Sequence, residues 1–293
     1  MDTILSPEES IQKRYDILWA HPQKINRDSH HYYLGWHFGF FDTQTKNSQD
    51  AMHQMNSFIA QKLNLSDFHQ KIILDAGCGN GSTLLSFAQQ YPQHQYLGIT
   101  LASQELKLAE TIKKQNHINN VTFTKSSYLH TGFNPHLFNC IYSLESVCYA
   151  SNKLHYIQEM KNLLRPSGEL LILDLFIKNN KENHICRKIN RYLTNKKKSP
   201  HSRVTIDEFI SLLYREGFSQ IDVHNLSKEK HVRLFDIYIF IFYELINNYL
   251  LHLKKHSIRK QLILGCLLPL IYSIKLWRVI FADPNYYAIS AKL

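Results

Sequence analysis

Apolar positions along this chain change their spacing again and again. Between residues 71 and 177, short β-branched or apolar runs alternate with longer stretches whose apolar residues recur every three or four positions. Ile72-Ile73-Leu74, Gln95 to Ile99, Val121-Thr122-Phe123 and Cys140-Ile141-Tyr142 read as strands. Leu84 to Tyr91, Glu105 to Gln115 and Leu154 to Leu164 read as helices. The third has apolar residues at 154, 157, 160, 163 and 164 and is stopped by Arg165-Pro166-Ser167-Gly168. Glu169 to Ile177 follows as a buried strand. Thr205 to Glu216 returns to helix, with Thr205 as N-cap, Glu208 three residues on and Gly217 as the stop. Phe218 to Val223 and a final Tyr286–Ser290 run add two more strands. Such alternation predicts an α/β protein, a parallel, doubly wound sheet with helices on both faces.

Three segments depart from this rhythm. Lys178 to Pro200 is polar and basic and reads as a mobile connection or lid. Leu234–Leu251 and Leu262–Ala282 are strongly apolar. The first contains Asp236, Glu244, Asn247 and Asn248; the second is broken by Pro269 and carries Lys275 and Arg278, so neither reads as a membrane span. We expect two long helices forming an apolar cover, and contact of that cover with a membrane surface stays open. The expected division is an N-terminal helical and aromatic cap over 1–66, a ligand-binding α/β domain over 67–228, the cover over 229–284, and a last core strand over 285–293.

The 293 residues suffice for a sizeable core, and 44% hydrophobic with 20% charged residues excludes fibrous or wholly disordered chains. Five cysteines without CxxC spacing argue for a reducing compartment over a disulfide framework or zinc site. The opening residues show no basic stretch before an apolar core, so we expect no secretory signal and a cytoplasmic location. Ala291-Lys292-Leu293 resembles a peroxisomal tripeptide, but a strand explains it better. Charge is divided unevenly. Residues 1–150 carry 11 Lys/Arg and 12 Asp/Glu; residues 151–293 carry 23 and 12. A surface so basic could meet nucleic acid, lipid headgroups or a phosphorylated substrate.

The candidate chemistry begins at Asp75-Ala76-Gly77-Cys78-Gly79-Asn80-Gly81-Ser82. A strand ends, three alternate glycines follow, and a helix begins whose free N–H groups can face an anionic ligand group. The spacing is not the dinucleotide G-x-G-x-x-G, and the next strand ends Leu97-Gly98-Ile99-Thr100 without an acid.

This segment resembles motif I of class I S-adenosylmethionine-dependent methyltransferases. Leu163 to Leu171 resembles their L-(K/R)-P-G-G turn and fifth strand. The resemblance runs over roughly residues 10–225 plus the last strand. It implies a Rossmann-like, seven-stranded, mostly parallel sheet, with the apolar cover inserted before the last strand. It also implies S-adenosylmethionine as co-substrate, held by Asp75, Gly77, Cys78 and Gly79 and then by Thr100, Leu101, Ser127 and Tyr128. Gly98-Ile99-Thr100-Leu101-Ala102-Ser103-Gln104 resembles the G-I-T-L-S-x-x-Q segment of cyclopropane-fatty-acid synthase and of tocopherol and sterol methyltransferases. By that likeness the Thr100 main chain and Gln104 hold the ribose. Ser127 stands where relatives carry the acid that faces the adenine.

Two more segments bear on the acceptor. Tyr33 to Asp42 resembles the H-x-G-(Y/F)-(W/F) stretch of small-molecule methyltransferases, which places Tyr33, His37 and Phe38 at the methyl end. Glu145-Ser146-Val147-Cys148-Tyr149 resembles the E-S-x-x-Y of prenyl-diphosphate C-methyltransferases. In those enzymes the glutamate is a base or stabilises a carbocation, so Glu145 is the expected catalytic residue and Tyr149 a substrate contact. A carboxylate directly after an apolar strand is costly unless paired or used. The seventeen histidines show no H-x-x-E-H or H-E-x-x-H pattern, so no metal site is expected; Mg²⁺ would arrive only with a diphosphate.

The expected function is methyl transfer to a lipophilic small molecule, first among them a prenyl-type carbon acceptor. The alternatives are N-methylation of a small amine, a nucleic-acid-binding protein, and a catalytically silent protein at a membrane surface. No RNA-binding module or base-methylation motif is recognisable, so nucleic acid is not an expected partner. The acceptor's identity, and whether the chain forms a homo-oligomer, stay open.

Overall fold

The structure, a computed structural model, describes residues 6–19, 37–43, 45–177, 204–229, 231–232 and 284–293. The basic segment over 178–200, both apolar stretches within 234–282 and Tyr33 lie outside the described residues.

Seven strands form one sheet: β1 Ile72–Ala76, β2 Gln95–Thr100, β3 Val121–Lys125, β4 Phe138–Leu144, β5 Leu164–Ile177, β6 Ser219–Asn225 and β7 Pro284–Lys292. Their spatial order is β3-β2-β1-β4-β5-β7-β6. The first five are mutually parallel, while β7 runs antiparallel between β5 and β6. This is the expected doubly wound, mostly parallel architecture. The order reverses between β1 and β4, the point where such sheets leave a crevice at the carboxyl ends of their strands.

Helices α1 Pro7–Trp19, α2 Ser48–Lys62, α3 Ser82–Gln90, α4 Ser103–Gln115, α5 Lys153–Leu163 and α6 Ile206–Arg215 cover the sheet. The sheet separates two apolar layers. One contains Ile59, Leu84, Phe87, Tyr96 and Tyr142, and the other Ile141, Tyr156, Met160, Ile172 and Phe209. Alternation along each strand sends neighbours to opposite layers, as Ile141 and Tyr142 do. Thr205 caps α6 as expected: its hydroxyl accepts the Glu208 N–H, and Glu208 accepts the Thr205 N–H.

One boundary differs from the sequence reading. Arg165-Pro166-Ser167-Gly168 does not form a loop before β5 but a bulge within it, between the pairs Phe138–Leu164 and Cys140–Glu169. Ser167 takes the left-handed conformation there, with φ 63°. Ala291 is buried in β7, and Leu293 N–H bonds Gly168 O, so the terminal tripeptide belongs to the sheet.

Candidate active site

The loop after β1 folds back on β2, because Gly77 and Cys78 both donate their N–H to Ile99 O. Its glycines have different reasons. At Gly77 (φ 109°) a Cβ would stand 2.4 Å from Ser146 Cβ, so the loop after β4 could not close. At Gly79 (φ 53°) a Cβ would meet nothing nearer than Glu105 Oε1 at 3.5 Å. That side of the loop is open floor. Gly81 caps α3 without a side-chain bond, and Asn80 Oδ1 accepts the Ser82 N–H of the first turn at 3.2 Å.

Above the floor lies a cavity at the carboxyl ends of β1, β2, β4 and β5. Asp75, Gly77, Cys78, Gly79, Thr100, Leu101, Tyr128, His37, Phe38, Glu145 and Tyr149 all line it. Helix α1 supplies another wall through Ile11, Gln12, Tyr15 and Trp19, residues the sequence did not single out. Tyr15 donates its hydroxyl to that of Tyr149 at 2.7 Å, tying α1 to the turn after β4.

Four carboxyls line this cavity, and among the described residues no lysine or arginine does. Asp75 is 2% exposed, and burial pushes its carboxyl up to about 7. Its Oδ1 has no hydrogen-bond partner of normal geometry. The Tyr142 hydroxyl beside it is likewise unmatched, yet lies near enough to offset part of the rise. Glu105 is pushed up to about 7, again by burial, against the hydrogen bond donated by Thr100 Oγ1 at 2.8 Å. Asp174 is also raised by burial. His37 is pushed down to about 4 by burial, so its ring is neutral; Nδ1 lies 2.9 Å from Phe38 O and must donate to it. A buried unmatched carboxylate oxygen, an open floor at Gly79 and a wall of acids fit a ligand bearing donors and positive charge.

Glu145 is constrained at its main chain. It follows β4 with φ 53°, a conformation that non-glycine residues rarely adopt. Its Oε1 accepts the Phe38 main-chain N–H at 2.6 Å and the Tyr286 hydroxyl at 3.0 Å. No described residue donates to Oε2. Burial pushes the carboxyl up to about 8. Part of the side chain is accessible, and it lines the cavity.

Two expected contacts are not brought together with the rest. Gln104 is exposed and does not line the cavity; its main-chain N–H bonds Asp16 Oδ1 at 2.9 Å. Its neighbour Glu105 points inward instead. Counted along G-I-T-L-S-x-x-Q from Gly98, the final position is Glu105, so this chain carries an acid where the pattern has glutamine. One residue along a helix turns a side chain by about 100°. Ser127 also misses the cavity, because its hydroxyl donates to Glu8 on α1, while Ser126 and Tyr128 face inward. Tyr286 and Asp174 escaped the sequence reading. Tyr286 reaches Glu145 only through the antiparallel return of β7, and nothing local to Asn285-Tyr286-Tyr287 signals that.

A family model described as "Methyltransferase domain" matches residues 67–237. The chain is 30% identical over 145 residues to norajmaline N-methyltransferase of Rauvolfia serpentina, a match covering 47% of this chain and 49% of that protein. The matched stretch thus spans about half the length of that relative. Among solved structures, the 4+2 cyclase SpnF superposes with a TM-score of 0.67 at 16% identity, covering 98% of this chain and 96% of that one. Geranyl diphosphate C-methyltransferase from Streptomyces coelicolor A3(2) does so with a TM-score of 0.62 at 14% identity, covering 98% of each chain. At such identities the likeness is one of fold, and folds of this kind host several chemistries.

Proposed function

The chain belongs to the methyltransferase-domain family, and on that premise we propose that it transfers a methyl group from S-adenosylmethionine to the carbon of a lipophilic, prenyl-type acceptor. The observation that carries this reading is the asymmetry of Glu145. Two donors hold Oε1, and no described residue donates to Oε2 of this carboxyl, which lines the cavity.

S-adenosylmethionine, when bound, supplies a methyl group on a positively charged sulfur. Asp75, Glu105 and the open floor at Gly79 would hold it, and Phe38 and Tyr149 would present aromatic faces toward the charge. Positive charge entering the cavity favours the ionised carboxyls, so Glu145 gives up its proton as the site fills. An alkene that gains a methyl group acquires a cationic carbon beside the new bond. Glu145 Oε2 then takes a proton from the adjacent carbon, and that C–H bond's electrons restore the double bond. Until then the carboxylate stabilises the cation in a site that excludes water. Ser126 and Tyr128 would stand nearest the adenine, in place of the expected Ser127.

The resemblance of Glu145–Tyr149 to prenyl-diphosphate enzymes supports the carbon acceptor. A diphosphate with its Mg²⁺ would have to be held away from the acid-lined wall. A second reading, N-methylation of a small amine, is favoured by that same wall, where Glu145 would pair with the ammonium. The test offers the donor with a panel of prenyl diphosphates, sterols, quinones and amines, and looks for a mass gain of one methyl. Methylated isoprenoid supports the carbon reading. Turnover of amines alone rejects it.

A further inference from the structure

Glu145 and Asp174 are neighbours across two parallel strands. Leu144 of β4 stands opposite Leu173 of β5, and the ladder runs one step further, since Glu145 N–H donates to Leu173 O at 2.8 Å. Asp174 comes next along β5. It is 2% exposed and lines the same cavity.

The two carboxyls are served in opposite ways. Both oxygens of Asp174 accept main-chain N–H groups, Oδ2 from Cys148 at 2.8 Å and Oδ1 from Leu175 at 2.7 Å. Bonds of that kind favour the charged form. Lys153 adds to this: its buried Nζ donates to Val147 O and Ala150 O at 2.7 Å and attracts Asp174. Glu145, by contrast, receives both its donors on a single oxygen. Where surroundings push two titratable groups apart, the acid and base roles divide between them. The N–H groups on both Asp174 oxygens, with Lys153, favour its charge against the burial that raises it, and Glu145 keeps one oxygen with which to exchange a proton.

The other groups facing this pair do not substitute for that charge. Tyr286 on β7 donates to Glu145, and the Cys148 thiol lies close to Glu145 O. His37 is neutral, and Tyr15 and Tyr149 are raised by burial, so they remain phenols.

We propose that Asp174 is a positioning residue for Glu145: a fixed negative charge on the adjacent strand that keeps Glu145 a strong base, and an acceptor for Cys148 N–H that places the turn carrying it. This deepens the reading of Glu145 as the proton acceptor and rests on it. The Asp174 charge is among the causes that raise Glu145, after burial.

The test titrates Glu145 directly, by infrared difference spectra of the full chain against Glu145→Gln, first unchanged and then with Asp174→Asn added to both. Neutralising Asp174 should weaken proton binding at Glu145 by about tenfold, the effect of losing a buried like charge. Asp174→Glu, which keeps the charge, should hold the midpoint near that of the unchanged chain. A lower turnover with an unmoved midpoint would make Asp174 a frame residue and overturn the proposal. If Asp174→Asn does not fold, Asp174→Ser, whose hydroxyl can still accept one N–H, takes its place. Failure of both to fold also overturns it. The midpoint is read without any acceptor present, so a wrong acceptor assignment would leave this result standing on its own.

Discussion

The Phe38 main-chain N–H meets Glu145 Oε1, 107 positions further along the sequence, at 2.6 Å. That bond joins the aromatic N-terminal segment to the loop after β4 and orients the carboxyl whose other oxygen we assign to chemistry. With the Tyr286 hydroxyl on the same oxygen, the side chain is fixed before any acceptor arrives.

Glu145→Gln preserves size and one hydrogen-bonding oxygen but removes the base. Turnover should fall at least about a hundredfold, the usual scale for a lost general base, while donor affinity stays within a few-fold. Single-turnover kinetics beside calorimetry separates the two effects. Normal turnover in the glutamine variant would end the base assignment.

Tyr286→Phe should act in the opposite sense to Asp174→Asn. The hydroxyl stabilises the ionised carboxyl, so its loss raises the proton affinity of Glu145 further. The acid limb of the turnover profile should then move to higher pH. A profile that keeps its shape and only loses height would show that Tyr286 merely fills space.

The two loop glycines should fail differently. Gly77→Ala places a methyl group against Ser146 in a left-handed conformation, and should destabilise the fold by about 1–3 kcal/mol, read as a lower Tm. Gly79→Val fills the open floor, so donor affinity should be lost, and its branched side chain at φ 53° lowers Tm as well; Gly77→Ala, in whatever fraction folds, should keep donor affinity. Equal behaviour in both assays would remove the distinction between packing and binding.

Stability without ligand should depend on pH in a stated direction. Asp75 and Glu105 hold protons to about 7, and Glu145 to about 8. In the unfolded chain these groups lose their protons near 4, so the folded state binds more protons between 4 and these values, and stability falls as pH rises. His37, held neutral down to about 4, acts oppositely below about 6.5, where the unfolded histidine is protonated and the folded one is not. The clear window is therefore about 6.5 to 8, where Tm should decline with rising pH and Glu145→Gln should flatten the slope. A flat or rising Tm in the unmodified protein would contradict the burial of these groups.

How much of this was legible follows from which interactions are local. The strand–helix alternation and the glycine loop show in the sequence because period-2 and period-3.6 patterning and the Asp75–Ser82 run are properties of neighbouring residues. The inward residue on α4 is Glu105 and not the expected Gln104, and a one-residue step along a helix changes which face a side chain occupies. Tyr15, Asp174 and Tyr286 were missed for a different reason: each sits on an element distant in sequence, and only the tertiary fold brings Tyr15 to Tyr149 and Asp174 and Tyr286 to Glu145. Ser127 shows the converse, since a residue beside the cavity can spend its hydroxyl on Glu8 instead.

Methyl transfer with Glu145 as base requires the cavity over Gly77 to Gly81 to be a site for a sulfonium donor. Isothermal titration of the purified chain with S-adenosylmethionine and with S-adenosylhomocysteine tests that directly. Saturable heat with both ligands, abolished by Gly79→Val, is the predicted result. No heat with either ligand, from protein that is demonstrably folded, would contradict it.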